Sequence, residues 1–289
     1  MEKALKKWFP VFVIPTLAAF CVGFIWPFIQ GIYLSFCQFI TVSNAKWVGV
    51  SNYVKALSDT TFGDSFWFTV VFAFVSTILI NGIAFIIALA LTKEIKGTNI
   101  FRTVFFMPNL IGGIVLGYIW QILINCVLSN VAQPLLALNS TAGFWGIIIL
   151  MCWQQIGYMM IIYVAGLQNV PPDLLEAAAI DGANAIQTLI KVKLPMFMSS
   201  FTICLFLTIT NSFKLFDQNL ALTGGAPSVM LENTKVNMTE LLALNIFSTY
   251  NINKNYHGAA QAKAVVFFIL VAVLALAQQR ATRSKEVQQ

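Results

Sequence analysis

Residues 66–91 read FWFTVVFAFVSTILINGIAFIIALAL, from Phe66 to Leu91, without a single charged side chain. A bilayer core is crossed by about 20 consecutive apolar residues in helix, and this run is longer. Inside lipid every backbone N–H and C=O needs a partner from the segment itself, which a helix provides. The alternation of apolar and polar residues that marks a barrel strand is missing. The segment is therefore read as a membrane-spanning helix, and the fold follows from its companions.

Five further runs qualify: 9–36, 104–126, 144–167, 196–216 and 259–277. Pro15, Pro27, Pro108, Gly112 and Gly113 interrupt them, which membrane helices tolerate where neighbours re-satisfy the freed backbone groups. The whole chain agrees, with 58% hydrophobic and 10% charged residues over 289 positions; soluble domains run near 45–50% and about 25%. The expectation is an all-α integral membrane protein, a single domain over 1–289 with six transmembrane helices. Lys3, Lys6 and Lys7 precede the first run as in a secretory leader, but that run exceeds the ~7–15 residues of a leader's apolar region. It reads as an uncleaved span.

Most of the 17 basic residues gather on one side: Lys3, Lys6 and Lys7, then Lys93, Lys96 and Arg102, then Lys191 and Lys193, and finally Arg280, Arg283 and Lys285. Lys46, Lys55, Lys214, Lys235, Lys254 and Lys263 fall on the other, spread over longer loops. The positive-inside rule then places both termini in the cytoplasm. Trp8, Trp47, Trp67 and Tyr118 sit near the expected interfaces. The net charge of +6 is thus a matter of topology, with no basic cluster interleaved with aromatics to suggest nucleic acid. Cys21, Cys37, Cys126, Cys152 and Cys204 are widely spaced in or beside apolar runs and read as reduced packing residues, with no metal site. Segments 37–65 and 217–256 read as external loops.

The cytoplasmic segment 171–195 carries the most chemistry. Pro171 and Pro172 end the fourth span and suit a new helix start. Asp173 and Glu176 follow in its first turns, where carboxylates oppose the positive end of the dipole. Leu174, Leu175, Ala178 and Ala179 form an apolar face, and Gly182 is placed to end the helix in a left-handed cap. A second short helix, about 185–191, precedes Leu194 and Pro195, which open the fifth span. Helix geometry alone fits either a surface connector or a docking element with small residues, Ala177 to Ala179, for close approach.

The pattern Glu176-Ala177-Ala178, then Gly182, then Val192-x-Leu194-Pro195 resembles the EAA loop of ABC importer permeases, with Val192 for the usual Ile and Asp181 before the Gly as is common there. Further segments are similar to the carbohydrate-uptake branch: Trp47-Val48-Gly49-x-x-Asn52-Tyr53, Arg102-x-x-x-Phe106-x-Pro108, Ala165-Gly166-Leu167-Gln168-x-Val170-Pro171, Phe213-Lys214-x-Phe216-Asp217, and Thr223-Gly224-Gly225-Ala226-Pro227, where Ala226 replaces a Gly. The resemblance covers nearly the whole chain. It implies that Glu176, Ala177, Ala178, Asp181, Gly182, Leu194 and Pro195 belong to a coupling helix, between helices 4 and 5, that inserts into a separate ATPase. It implies a second homologous permease subunit, two ATPase subunits that bind ATP and Mg, and an extracellular solute-binding protein, all at a bacterial cytoplasmic membrane. The chain itself has no GxxxxGK[ST] phosphate loop, and its lone histidine, His257, reads as a solvated loop residue. No catalytic residue or bound cofactor is expected.

Polar groups inside spans are costly unless used. Gln155 and Tyr158 share a face at i, i+3 of the fourth span; Thr210, Asn211 and Ser212 lie in the fifth, and Asn109 follows Pro108 in the third. By the resemblance, Asn109, Gln155, Tyr158 and Ser212 fall where maltose-type permeases contact sugar, with Asn211 beside them, while Leu215 at another such position is apolar. The same groups also suit hydrogen bonds between helices. Lys214 is expected to snorkel at the interface or to pair with Asp217. The cargo implied is a sugar, in particular an oligosaccharide. Glycerol-3-phosphate is the alternative, although no Lys or Arg is expected deep in a span to meet its charge. An ion-coupled secondary transporter would need a buried acid or inverted repeats.

Overall fold

A computed structural model describes residues 2–92, 97–231, 234–252 and 254–283; Lys93, Lys96 and Lys285 lie outside them. The helices run α1 (Glu2–Phe20), α2 (Trp26–Ser35), α3 (Ser51–Leu57), α4 (Thr60–Leu91), α5 (Thr98–Phe106), α6 (Gly113–Asn130), α7 (Ser140–Gln168), α8 (Pro172–Ile180), α9 (Ala185–Thr188), α10 (Leu194–Met196), α11 (Met198–Phe213), α12 (Asp217–Leu222), α13 (Leu242–Ile252) and α14 (His257–Arg283). Two short antiparallel ribbons accompany them, β1 (Cys37–Gln38) with β2 (Lys46–Trp47), and β3 (Ser228–Leu231) with β4 (Thr234–Asn237).

Among the described residues, five helices are long and apolar enough to cross a membrane: Val11–Ser35, Thr60–Leu91, Gly113–Asn130, Ser140–Gln168 and Lys254–Ala281. A sixth span exists only as a bent pair, Ala185–Met196 with Met198–Phe213, at 73°. The chain is a helical, multi-pass membrane protein, as expected. The deviations are local and have causes.

The third span, expected over 104–126, is broken. α5 passes into a 3-10 turn at Met107–Leu110, and Gly112 takes an extended conformation (ψ 138°) before α6 begins. Pro108 has no N–H to give and disfavours continued helix before it. The fifth span does not start at Pro195 either. Leu194 and Pro195 finish the preceding helix, and the bend falls at Phe197 (φ −102°, ψ 17°). Both α2 and α10 carry a proline near their first position, and each is preceded by a π turn, Cys21–Ile25 and Leu189–Lys193. There the N–H of Trp26 reaches Cys21 O, and that of Leu194 reaches Leu189 O. A turn widened to i→i−5 relieves the clash of a proline ring with the carbonyl four residues back.

By contacts the chain forms two units, residues 1–60 with 246–269, and 61–245 with 270–289. In the first, the Trp47–Tyr53 motif is a clasp. Asn52 donates to Ser35 O (3.0 Å) and Cys37 O (2.9 Å), the Tyr53 and Ser35 hydroxyls bond at 2.6 Å, and Phe36 stacks on Trp47. Two expectations fail in this unit. His257 is not a solvated loop residue: it is buried at the start of α14, stacked on Tyr250 with ring centroids 4.0 Å apart. Lys263 is not on a loop but fully buried in α14, held by Asp59 (2.6 Å) and Thr249 (2.7 Å). A buried ammonium persists only with such partners.

In the second unit α4 and α7 lie side by side in the same direction, since Phe72 meets Phe144 and Asn81 meets Tyr163. Their interface is the core: Ile80, Ala84, Ile147, Met151 and Tyr163 are fully buried. The segment after α11, expected as an open loop, is built in. α12 packs so closely on α6 that a Cβ on Gly117 would lie 2.5 Å from that of Ala221. Asn219, fully buried, donates to Thr223 Oγ1 and Thr239 O and accepts from Leu241 N, which ties the Thr223–Pro227 turn to the hairpin base. Gly224 and Gly225 there have φ of 57° and 86°. The pairing of Lys214 with Asp217 is not formed; both side chains are exposed, and no bond joins them among the described residues.

Candidate coupling loop and substrate path

α8 begins where the prolines direct it, with Pro172 at its first position and Asp173 in its first turn. Its end is a Schellman closure: Gly182 N donates to Ala179 O (3.1 Å) and Ala183 N to Ala178 O (2.9 Å), with Gly182 at φ 75°. This satisfies carbonyls left without a partner at the helix end. Asn184 then caps α9 in a reciprocal box with Gln187 (2.8 and 2.9 Å). The end of α8 and the start of α9 are thus both closed, at a defined corner.

What this loop leaves free is as informative. Of α8 only Ala178 is buried; Leu174, Ile180, Ile186 and Ile190 are exposed. The expected apolar face is thus only partly used by the chain itself. Glu176, Ala177, Asp181 and Gly182 are exposed too, and neither carboxylate has a partner among the described residues. Leu194 and Pro195 are half-buried, next to the bend into α11.

The expected path residues separate into two sets. Asn211 donates to Gln155 Oε1 at 3.5 Å, joining α11 to α7, and both are half-buried. Tyr158, on the same side of α7 as Gln155, places its ring 6.4 Å from that of Phe106. Asn109, half-buried, lies in the turn after α5. α5 reaches α7 because residue 157 is glycine: a Cβ there would lie 1.8 Å from Phe105 O. Ser212, one residue on from Asn211, turns the other way. It is fully buried, donates to Thr208 O (2.8 Å) and shares a 3.0 Å bond with Ser76. In this conformation it holds α11 against α4.

Other buried polar groups complete the picture. Asn81 donates to Thr208 Oγ1 (3.1 Å) and accepts from Tyr163 (2.7 Å), linking α4, α7 and α11. Gln154 donates to Ile111 O (3.2 Å) and accepts from Gln218 (2.7 Å). Sequence reasoning missed both Asn81, although it is the one amide in the run 66–91, and Gln218, whose segment read as an open loop.

The sequence profile of the family described as "Binding-protein-dependent transport system inner membrane component" matches residues 80–286. A probable starch degradation products transport system permease protein, AmyD, of Thermoanaerobacterium thermosulfurigenes is 38% identical, over 97% of this chain and 96% of its own length. The multiple sugar-binding transport system permease protein MsmF of Streptococcus mutans is 31% identical, over 99% of both. Among solved structures, a chain of a bacterial ABC transporter involved in the import of the acidic polysaccharide alginate matches with a TM-score of 0.79, covering 98% of each chain at 17% identity.

Proposed function

The chain belongs to the family of binding-protein-dependent transport system inner membrane components, non-catalytic membrane subunits of importers, and from that premise we propose that it forms half of the pore of an ATP-driven oligosaccharide importer. In this reading it pairs with a second, homologous permease subunit. Two ATPase subunits carry ATP and Mg, and an extracellular binding protein delivers the sugar. Its place is a bacterial cytoplasmic membrane, with both termini and the α8–α9 corner in the cytoplasm.

The observation that carries the coupling role is the state of α8 and α9. α8 is closed at its C-terminal end and α9 is capped at its N-terminal end, yet Leu174, Ile180 and Ile186 lie exposed beside the carboxylates of Glu176 and Asp181. An apolar patch rimmed by charge is what a partner surface covers. The short backbone path through Pro195 and the 73° bend then ties the ATPase's movement to α11, where Asn211 meets Gln155. Amides and a phenol at that point suit the hydroxyls of a sugar, and alternating access would open them first to one side and then to the other.

Purification from native membranes in mild detergent tests the assembly; recovery without any ATPase would sink the proposal. ATP hydrolysis by the recovered complex, measured with a panel of saccharides and with glycerol-3-phosphate, identifies the cargo. Stimulation by glycerol-3-phosphate alone would replace sugar by a phosphate ester.

A further inference from the structure

Between the first turns of α4, the start of α7 and the strand β4 lies an open cleft of about 500 Å³ that the coupling and path residues do not use. Trp67 forms one wall and is 66% exposed. Phe68 and Phe144, edge to face at 5.7 Å, line it as well, as does Met238. Asp64, one helical turn before Trp67, contributes an exposed carboxylate with no partner among the described residues. Asn237 contributes an amide whose oxygen is fixed by Ser228 Oγ at 2.7 Å. The β4 wall is anchored from behind: Met238 N donates to Pro227 O (2.9 Å), Thr239 N donates to Gly225 O (3.1 Å), and Val236 is buried.

A tryptophan near a span end ordinarily faces the lipid headgroups. Here a free carboxylate and an amide share its cleft, and a carboxylate is costly against hydrocarbon. This side therefore faces water. The volume lies in the range of about 300–1,000 Å³ typical of small-molecule sites. An exposed indole offers a flat apolar face to the C–H face of a pyranose ring, while a carboxylate accepts from hydroxyls and an amide N–H donates to them. Among the described residues no cation lines the cleft and Asp64 is its one charged group, which repels an acidic sugar. α4 and α7 run in the same direction, and the cleft is at their N-terminal ends, whereas α8 follows the C-terminal end of α7. The cleft is thus at the end opposite to the coupling helices.

We propose that this cleft is an entry subsite that holds one ring of an uncharged oligosaccharide before it reaches Gln155 and Asn211. The proposal rests on the transport reading above and adds to it a site and a charge preference.

Two measurements on the complete transporter in lipid nanodiscs and proteoliposomes test it, with maltotetraose and arabinotriose as neutral probes and trigalacturonate as the acidic one. Hydroxyl-radical footprinting should find Trp67 protected by at least one neutral probe and not by trigalacturonate. Trp67→Ala should raise the KM for uptake of the protecting sugar about tenfold, the loss of one good contact of roughly 1.4 kcal/mol, at little change in turnover. Trp67→Phe should recover most of the affinity. Protection by neither neutral probe, or equal protection in sugar-free nanodiscs because lipid fills the cleft, would overturn the subsite. Equal protection by trigalacturonate would overturn its charge preference. Wild-type vesicles that import neither neutral sugar count against the transport reading, whereas normal import with a KM unmoved by Trp67→Ala counts against the cleft alone.

Discussion

Replacing Gly182 separates two ways in which the α8 corner could fail. Gly182 has φ 75°, and nothing lies within 4 Å of a Cβ built there. A larger residue therefore meets no obstacle within the chain, and the penalty is conformational alone. An L-residue in the left-handed region costs about 1–2 kcal/mol, less for Asn, whose short polar side chain can bond locally. A β-branched residue such as Val is a genuine outlier there. The two bonds that close α8, Gly182 N to Ala179 O and Ala183 N to Ala178 O, depend on this conformation. Ala178 is the single buried residue of α8, so little else stabilises the corner, and local opening free energies of such exposed elements are small. A shift of about 1–2 kcal/mol changes the closed-to-open ratio roughly 5–30-fold. Sugar-stimulated ATP hydrolysis and uptake in proteoliposomes should thus rank Gly182 above Gly182→Asn, then Gly182→Ala, then Gly182→Val, with membrane insertion equal in all four. If Gly182→Ala outperforms Gly182→Asn, side-chain volume at a partner's surface governs the site and the cap argument is wrong. If Gly182→Val transports as wild type, the corner has no coupling role.

Three other changes follow from contacts already described. Gly157→Ala drives a methyl into Phe105 O, a backbone atom that cannot step aside, so thermal melting of the purified chain should show a loss at the upper end of the ~1–3 kcal/mol usual for overpacking; an unchanged melting temperature would contradict the close approach of α5 to α7. Asp59→Ala removes the carboxylate that holds the buried Lys263 at 2.6 Å, and because Asp59 is itself partly exposed the loss should stay below the ~3 kcal/mol of a fully buried pair; the double variant Asp59→Ala with Lys263→Met should recover most of it in the same melting assay. Gln155→Ala removes the partner of Asn211 across a half-buried junction, a loss of about 1 kcal/mol of stability at most, yet uptake should fall well beyond what that explains; uptake that tracks stability alone would assign Gln155 to helix packing.

Much of this protein was legible from residues 66–91 outward. Whether a segment sits in lipid depends on its own composition, so the apolar runs read correctly as membrane helices, and the start and end of α8 followed from Pro172 and Gly182, whose backbone preferences act within a few residues. The tertiary structure decided what depends on distant parts of the chain. Adjacent residues Asn211 and Ser212 reach different helices, Gln155 of α7 and Ser76 of α4, because successive positions on α11 point about 100° apart and α11 packs against both. Lys263 is buried rather than on a loop because Asp59 and Thr249 come to meet it. The 217–256 segment carries buried Gln218 and Asn219 because Gly113 and Gly117 of α6 let α12 approach. The physical reason is common to all three. Apolar helices are nearly uniform around their circumference, so hydropathy says that they pack but not which face meets which. That choice is made by close backbone approach at glycine and by the few polar side chains that must find a partner away from water.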